Sequence, residues 1–99
     1  MKEISIEKLQ ELVEQEKDLS IIDVRTKEQY DNGHIPGAIH IPLSQLENHL
    51  DELDKDTHYY TICQRGIKSK EAAEILDKNG YQVTNTEKGM PDYQGELVK

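Results

Sequence analysis

Apolar positions along this chain recur in two alternating rhythms, one helical and one extended. Ser5 can cap a first helix, and Ile6, Leu9, Leu12 and Val13 follow it at the spacing of a single buried face. Leu19-Ser20-Ile21-Ile22-Asp23-Val24 is nearly continuous in apolar residues and reads as a buried central strand. Lys27 to Asp31 predicts a short polar helix, and Asn32-Gly33-His34-Ile35-Pro36-Gly37 a cluster of turns. Ala38-Ile39-His40-Ile41 predicts a short strand closed by Pro42. Ser44 and Glu47 have the spacing of a capping box, ahead of a helix with Leu46, Leu50 and Leu53 on one face. Tyr59-Tyr60-Thr61-Ile62 predicts a buried strand. Lys70 to Gly80 predicts a helix with Asn79-Gly80 as its C-cap. Tyr81-Gln82-Val83-Thr84 predicts a last strand, and the tail from Glu87 to Lys99 one short helix beginning near Pro91. Helix and strand alternate throughout, so the expected class is α/β with a largely parallel sheet.

Size and composition narrow the picture. A chain of 99 residues is expected to form one domain, residues 1–99, with one modest core. It has neither Trp nor Phe, so Ile, Leu, Val and five Tyr must fill that core. The net charge of −8 speaks against general binding of nucleic acid, which needs a basic face. No apolar run approaches the roughly 20 residues that cross a bilayer. Met1-Lys2-Glu3-Ile4-Ser5 lacks the apolar region of a signal peptide. The expectation is therefore a cytoplasmic protein, bound to neither membrane nor nucleic acid. No long exposed apolar stripe calls for a partner copy, so a monomer is expected. His34, His40, His49 and His58 match no metal-ligand spacing and read as solvated or hydrogen-bonded side chains. Neither a metal nor a cofactor is expected.

The candidate chemistry lies at Cys63, the only cysteine. One cysteine excludes an internal disulfide, a Cys-x-x-Cys redox pair and a cysteine-rich zinc site. A lone cysteine is ordinarily a small buried hydrophobe. Here it ends a strand and opens Cys63-Gln64-Arg65-Gly66-Ile67-Lys68-Ser69, directly before a helix. Helix N-termini carry unpaired N–H groups and partial positive charge. Arg65 and Lys68 add two cations, and surroundings of this kind favour the nucleophilic thiolate. Gly66 lets the loop curl and aim its N–H groups inward at an anion. Ligands of parallel sheets bind beyond the carboxyl ends of the strands, which brings in Asp23 and Arg25 at the end of another strand. Asp23 is expected to accept bonds from backbone or a loop cation. Arg25 is expected to pair with Glu28 or another nearby carboxylate. Both read as braces for the loops.

Three segments together resemble the single-domain rhodanese-like sulfurtransferases. They are Ile21-Ile22-Asp23-Val24-Arg25 with Glu28-Gln29-Tyr30, then Gly33-His34-Ile35-Pro36-Gly37-Ala38-Ile39-His40-Ile41-Pro42-Leu43, then the Cys63 loop with Ser69. The resemblance implies a parallel sheet with helices on both faces. It implies an enzyme whose cysteine takes a sulfane sulfur from a donor such as thiosulfate and holds it as a persulfide. The sulfur then passes to cyanide, a thiol or a protein acceptor. Carried onto this chain, Cys63 is the nucleophile and Gln64, Arg65, Gly66, Ile67 and Lys68 bind the donor. Asp23, Arg25 and Ser69 support them. Two places depart from the family pattern. Lys88-Gly89-Met90-Pro91-Asp92-Tyr93 stands where Gly-Gly and a later Trp are common, and Lys68 stands where many members have Arg. Phosphatases and arsenate reductases of the same fold have a loop one residue longer than the Cys63 to Lys68 loop. A non-enzymatic binding module is expected to have lost the cysteine or its loop, and this chain has kept both.

Overall fold

The computed structural model describes residues 1–16 and 18–99. Five strands form one sheet: β1 (Lys2–Ile4), β2 (Ser20–Asp23), β3 (Ile39–His40), β4 (His58–Ile62) and β5 (Gln82–Thr86). Their spatial order is β1-β5-β4-β2-β3, and every neighbouring pair is parallel. Three α-helices, α1 (Ile6–Gln15), α2 (Lys27–Asp31) and α3 (Ile67–Lys78), join 3₁₀ segments at Leu43–Glu52 and Met90–Asp92. The expected α/β class with a parallel sheet is the observed one.

Successive residues of a strand point to opposite faces, so β2 builds two cores. Ile22 packs with Leu46, Ala72, Ala73 and Leu76 beneath α3 and the 43–52 segment. Ile21 packs with Ile6, Leu9, Ile35 and Tyr93 beneath α1 and the tail. Burial on both faces is why β2 reads as a nearly unbroken apolar run. The central strands β4 and β2 lie side by side in register Asp23↔Ile62, so Arg25 and Cys63 leave the sheet at the same end.

Several elements differ from expectation, each for a local reason. β1 was not foreseen, because Lys-Glu-Ile carries no strand pattern; it exists because the edge of β5 offers backbone partners. The Ser44/Glu47 capping box does not form. Pro42 is the N-cap, and its carbonyl takes the Gln45 N–H at 2.8 Å. The Leu43 N–H is drawn to the Val24 carbonyl (3.1 Å). The chain is thus tied to the sheet as it turns, and the segment winds as 3₁₀. A true capping box sits at Thr26 and Gln29. Helix α3 begins three residues early, at Ile67, because Gly66 at φ +84° serves as its N-cap. β5 runs on to Thr86, and the tail helix is only a 3₁₀ turn from Met90.

Candidate active site

Cys63 follows β4 directly and is 2 % exposed. Its loop folds back so that the Gly66 N–H donates to Sγ at 2.9 Å. From the first turn of α3, Ser69 places Oγ 3.2 Å from Sγ, where it accepts the thiol proton. A thiolate there would instead receive the Ser69 hydroxyl. No side chain caps α3 at Gly66, so its first N–H groups remain open toward the sulfur. The sulfur therefore sits between the Gly66 N–H and the Ser69 hydroxyl, at the N-terminal end of the α3 dipole.

Close backbone packing holds this curl. A Cβ on Gly66 would lie 2.7 Å from the Lys88 carbonyl oxygen. A Cβ on Gly89 would lie 2.1 Å from the Gln64 oxygen and 2.7 Å from the Cys63 oxygen. Only glycine fits at either position. The Met90 N–H also donates to the Cys63 carbonyl (3.1 Å). Lys88 itself adopts φ +65°, a left-handed conformation that suits glycine better. That strain marks the place where the chain departs from the Gly-Gly pattern.

Arg25 braces the loop from the neighbouring strand. Its partner is Asp23, correcting the alternative of Glu28, which is exposed on α2. Nε donates to Asp23 Oδ1 (3.0 Å) and Nη2 to Oδ2 (2.9 Å). Asp23 Oδ1 also accepts the Arg25 backbone N–H (3.0 Å). The pair is almost fully withdrawn from water, at 0 % and 5 % exposure. The fork has bonds to spare: Nη2 reaches the Gly33 carbonyl (2.8 Å), and Nη1 reaches Gln64 Oε1 (3.2 Å). A two-residue spacing that looks like a local ion pair thus ties three segments together. On the other side, the His40 ring Nε2 bonds the Arg25 carbonyl (2.8 Å). Tyr30 stacks between His34 and His40, with ring centroids 3.7 and 4.3 Å away. Burial, then the Asp23 charge, raises the Tyr30 phenol above its ordinary value. All four histidines have hydrogen-bond partners, His49 with Glu52 and His58 with Thr84. Among the described residues no group of acidic, histidine and cysteine side chains could hold a metal.

A cleft of about 530 Å³ opens above Sγ. Cys63, Gln64, Arg65, Ile67 and Lys68 line it, with Arg25 at one side. Gly66, Ser69 and Asp23 lie beneath, bonding to the residues that face the cavity. All nine sequence-selected residues therefore meet at one place. Two more, Gln29 and Pro91, complete the walls. The sequence reading missed both as wall residues; the Thr26-to-Gln29 capping-box spacing was a signal for the place of Gln29 on α2, and nothing in the sequence aims Pro91 at the cysteine. Arg65 and Lys68 are exposed at the mouth, and Ile67 is 74 % exposed. No described lining residue is a carboxylate, although the chain holds 20 Asp and Glu. The cleft is locally cationic on an acidic protein, as an anionic ligand requires.

Comparison with known proteins agrees with this fold. The chain is 40 % identical over 95 residues to a putative sulfur carrier protein, YrkF, of Bacillus subtilis; the match takes in 95 % of this chain but only 51 % of that relative, about half its length. It is 38 % identical to the putative sulfurtransferase YtwF of the same organism, over 97 % of this chain and 93 % of the relative. The crystal structure of SSP1007 from Staphylococcus saprophyticus superposes with a TM-score of 0.93 at 31 % identity, with both chains fully covered. A family model for the Rhodanese-like domain matches residues 5–96, and the chain belongs to that family.

Proposed function

We propose that the protein is a thiosulfate-type sulfurtransferase with Cys63 as the sulfur carrier. The observation that supports this most is the buried Sγ held by Gly66 N–H and Ser69 Oγ at the open N-terminus of α3, under a cleft whose described lining includes no acid. In this reading the Cys63 thiolate attacks the outer sulfur of thiosulfate. The S–S bond of the donor breaks, its electron pair leaves with sulfite, and Cys63 keeps the transferred sulfur as a persulfide. Arg65 and Lys68 attract the dianion, while the loop from Gln64 to Lys68 surrounds the terminal sulfur with N–H donors. Cyanide, a thiolate or a protein thiol then attacks that sulfur, and Cys63 leaves as thiolate. The transferred sulfur needs no outside oxidant in either step. Asp23 and Arg25 hold Gln64 and the loop in place. The same reading has one domain acting as a monomer in the cytoplasm, where reduced thiols are available as acceptors.

The test is intact-mass spectrometry after incubation with thiosulfate, alongside the cyanide assay for thiocyanate. The parent chain should gain one sulfur atom and lose it to cyanide. Cys63→Ser should do neither while keeping its circular dichroism spectrum. A parent that never loads, or a Cys63→Ser chain that turns over, overturns the proposal.

A further inference from the structure

A chain of polar groups, buried from Asn85 inward, runs from the far edge of the sheet to Ser69. Thr61 and Asn85 are cross-strand partners, and Asn85 pairs in turn with Glu3 on β1. The Asn85 amide donates from Nδ2 to Glu3 Oε2 at 3.0 Å. A carboxylate accepts only, so this bond fixes the amide orientation and turns Oδ1 toward Thr61. The Thr61 hydroxyl then has one proton and two acceptors: the Ser69 carbonyl at 3.0 Å and Asn85 Oδ1 at 3.2 Å. Thr61, Asn85 and Ser69 are all buried, so water does not take up the slack. The chain ends where Ser69 Oγ meets Sγ.

From this arrangement we infer that Thr61 is a positioning residue for sulfur transfer, set by Asn85 and Glu3 and acting through Ser69. It rests on the reading of Cys63 as the sulfur carrier. Ser69 is the third residue of α3, and Thr61 grips its carbonyl from the strand below. That grip holds the first helical turn down on the sheet. The position of the Ser69 hydroxyl beside the sulfur depends on this turn. The Ser69 hydroxyl must also change roles. It accepts from the thiol and donates to the thiolate, so its place must be fixed while its proton rotates. Neither Thr61 nor Asn85 contacts the cleft, and substrate selection does not involve them.

The test is a double-mutant cycle on single-turnover loading by saturating thiosulfate. Thr61→Val keeps the side-chain shape and deletes the hydroxyl. Loading should slow about tenfold, the scale of one well-placed hydrogen bond, with little change in the half-saturating thiosulfate concentration. Thr61→Ser should restore most of the rate. In a Ser69→Ala background, Thr61→Val should add less than about twofold, because contacts in one network are not additive. Glu3→Ala, at an exposed position, supplies a second probe should Thr61→Val fail to fold; it should slow loading a few-fold and lose that effect in the Ser69→Ala background. A tenfold loss that persists without the Ser69 hydroxyl overturns the inference, as does parent-rate loading by Thr61→Val or, where that chain does not fold, by Glu3→Ala. Failure of the parent to load at all counts instead against the proposed function.

Discussion

Removing the Arg25 side chain should damage the protein more than removing its whole ion pair. Arg25→Met keeps the length of the side chain but leaves the Asp23 carboxylate, 0 % exposed, facing three lost N–H bonds. Breaking one side of a buried pair costs about 3–5 kcal/mol. For a domain of this size that corresponds to a fall in Tm of roughly 12–40 °C. The double substitution Asp23→Asn with Arg25→Met removes both charges, and the amide oxygen introduced on β2 can still accept the backbone N–H two residues on. Its cost should be smaller, about 1–3 kcal/mol, the scale of a few lost hydrogen bonds. Activity should not follow stability. Gln64 loses its Nη1 donor in both variants, so both should load sulfur slowly. Thermal and urea melts followed by circular dichroism measure the first effect, and intact-mass loading measures the second. A double variant no more stable than Arg25→Met would refute the buried-charge argument. Recovery of full loading in the double variant would refute the role given to Gln64.

Lys88→Gly should leave the fold intact and stabilise it by up to about 1.5 kcal/mol in a urea melt, since a left-handed residue costs about 1–2 kcal/mol and glycine gives back about 0.5–1 as chain entropy; clear destabilisation would show that the Lys88 side chain matters more than its backbone. Arg65→Ala with Lys68→Ala should raise KM for thiosulfate and flatten its dependence on salt, because both cations stand exposed at the cleft mouth; unchanged kinetics would assign donor binding to backbone N–H groups alone. Burial, followed by the nearby Lys2 charge, pushes His58 below its ordinary value of 6.5, so the unfolded chain binds that proton more readily than the folded one. Stability from this site should therefore be fully present above pH 6.5 and decline as pH falls below it; a His58→Gln chain should lose that part of the slope, and an unaltered slope would reject the assignment.

The alternation of helical and extended apolar patterns was enough to determine the α/β class and the parallel sheet, because periodicity reports directly which side of each element is buried. The chemistry at Cys63 was legible for a related reason. A strand, a cysteine, a glycine and a helix lie consecutively, so the sulfur, its Gly66 donor and Ser69 are joined by a short stretch of backbone. What depended on distant segments was not legible. Whether 43–52 wound as α or 3₁₀ was decided by the Val24 carbonyl drawing in Leu43. β1 formed only because β5 presented an open edge. The bond from Arg25 to Gln64 spans residues that approach only when β2 and β4 lie side by side. Gly89 looked like half of a familiar pair, and only the folded chain shows the reason for it: the Gln64 and Cys63 carbonyls occupy the space a side chain would need. Local composition encodes burial and turns, whereas close approach between remote backbones is a property of the assembled sheet alone.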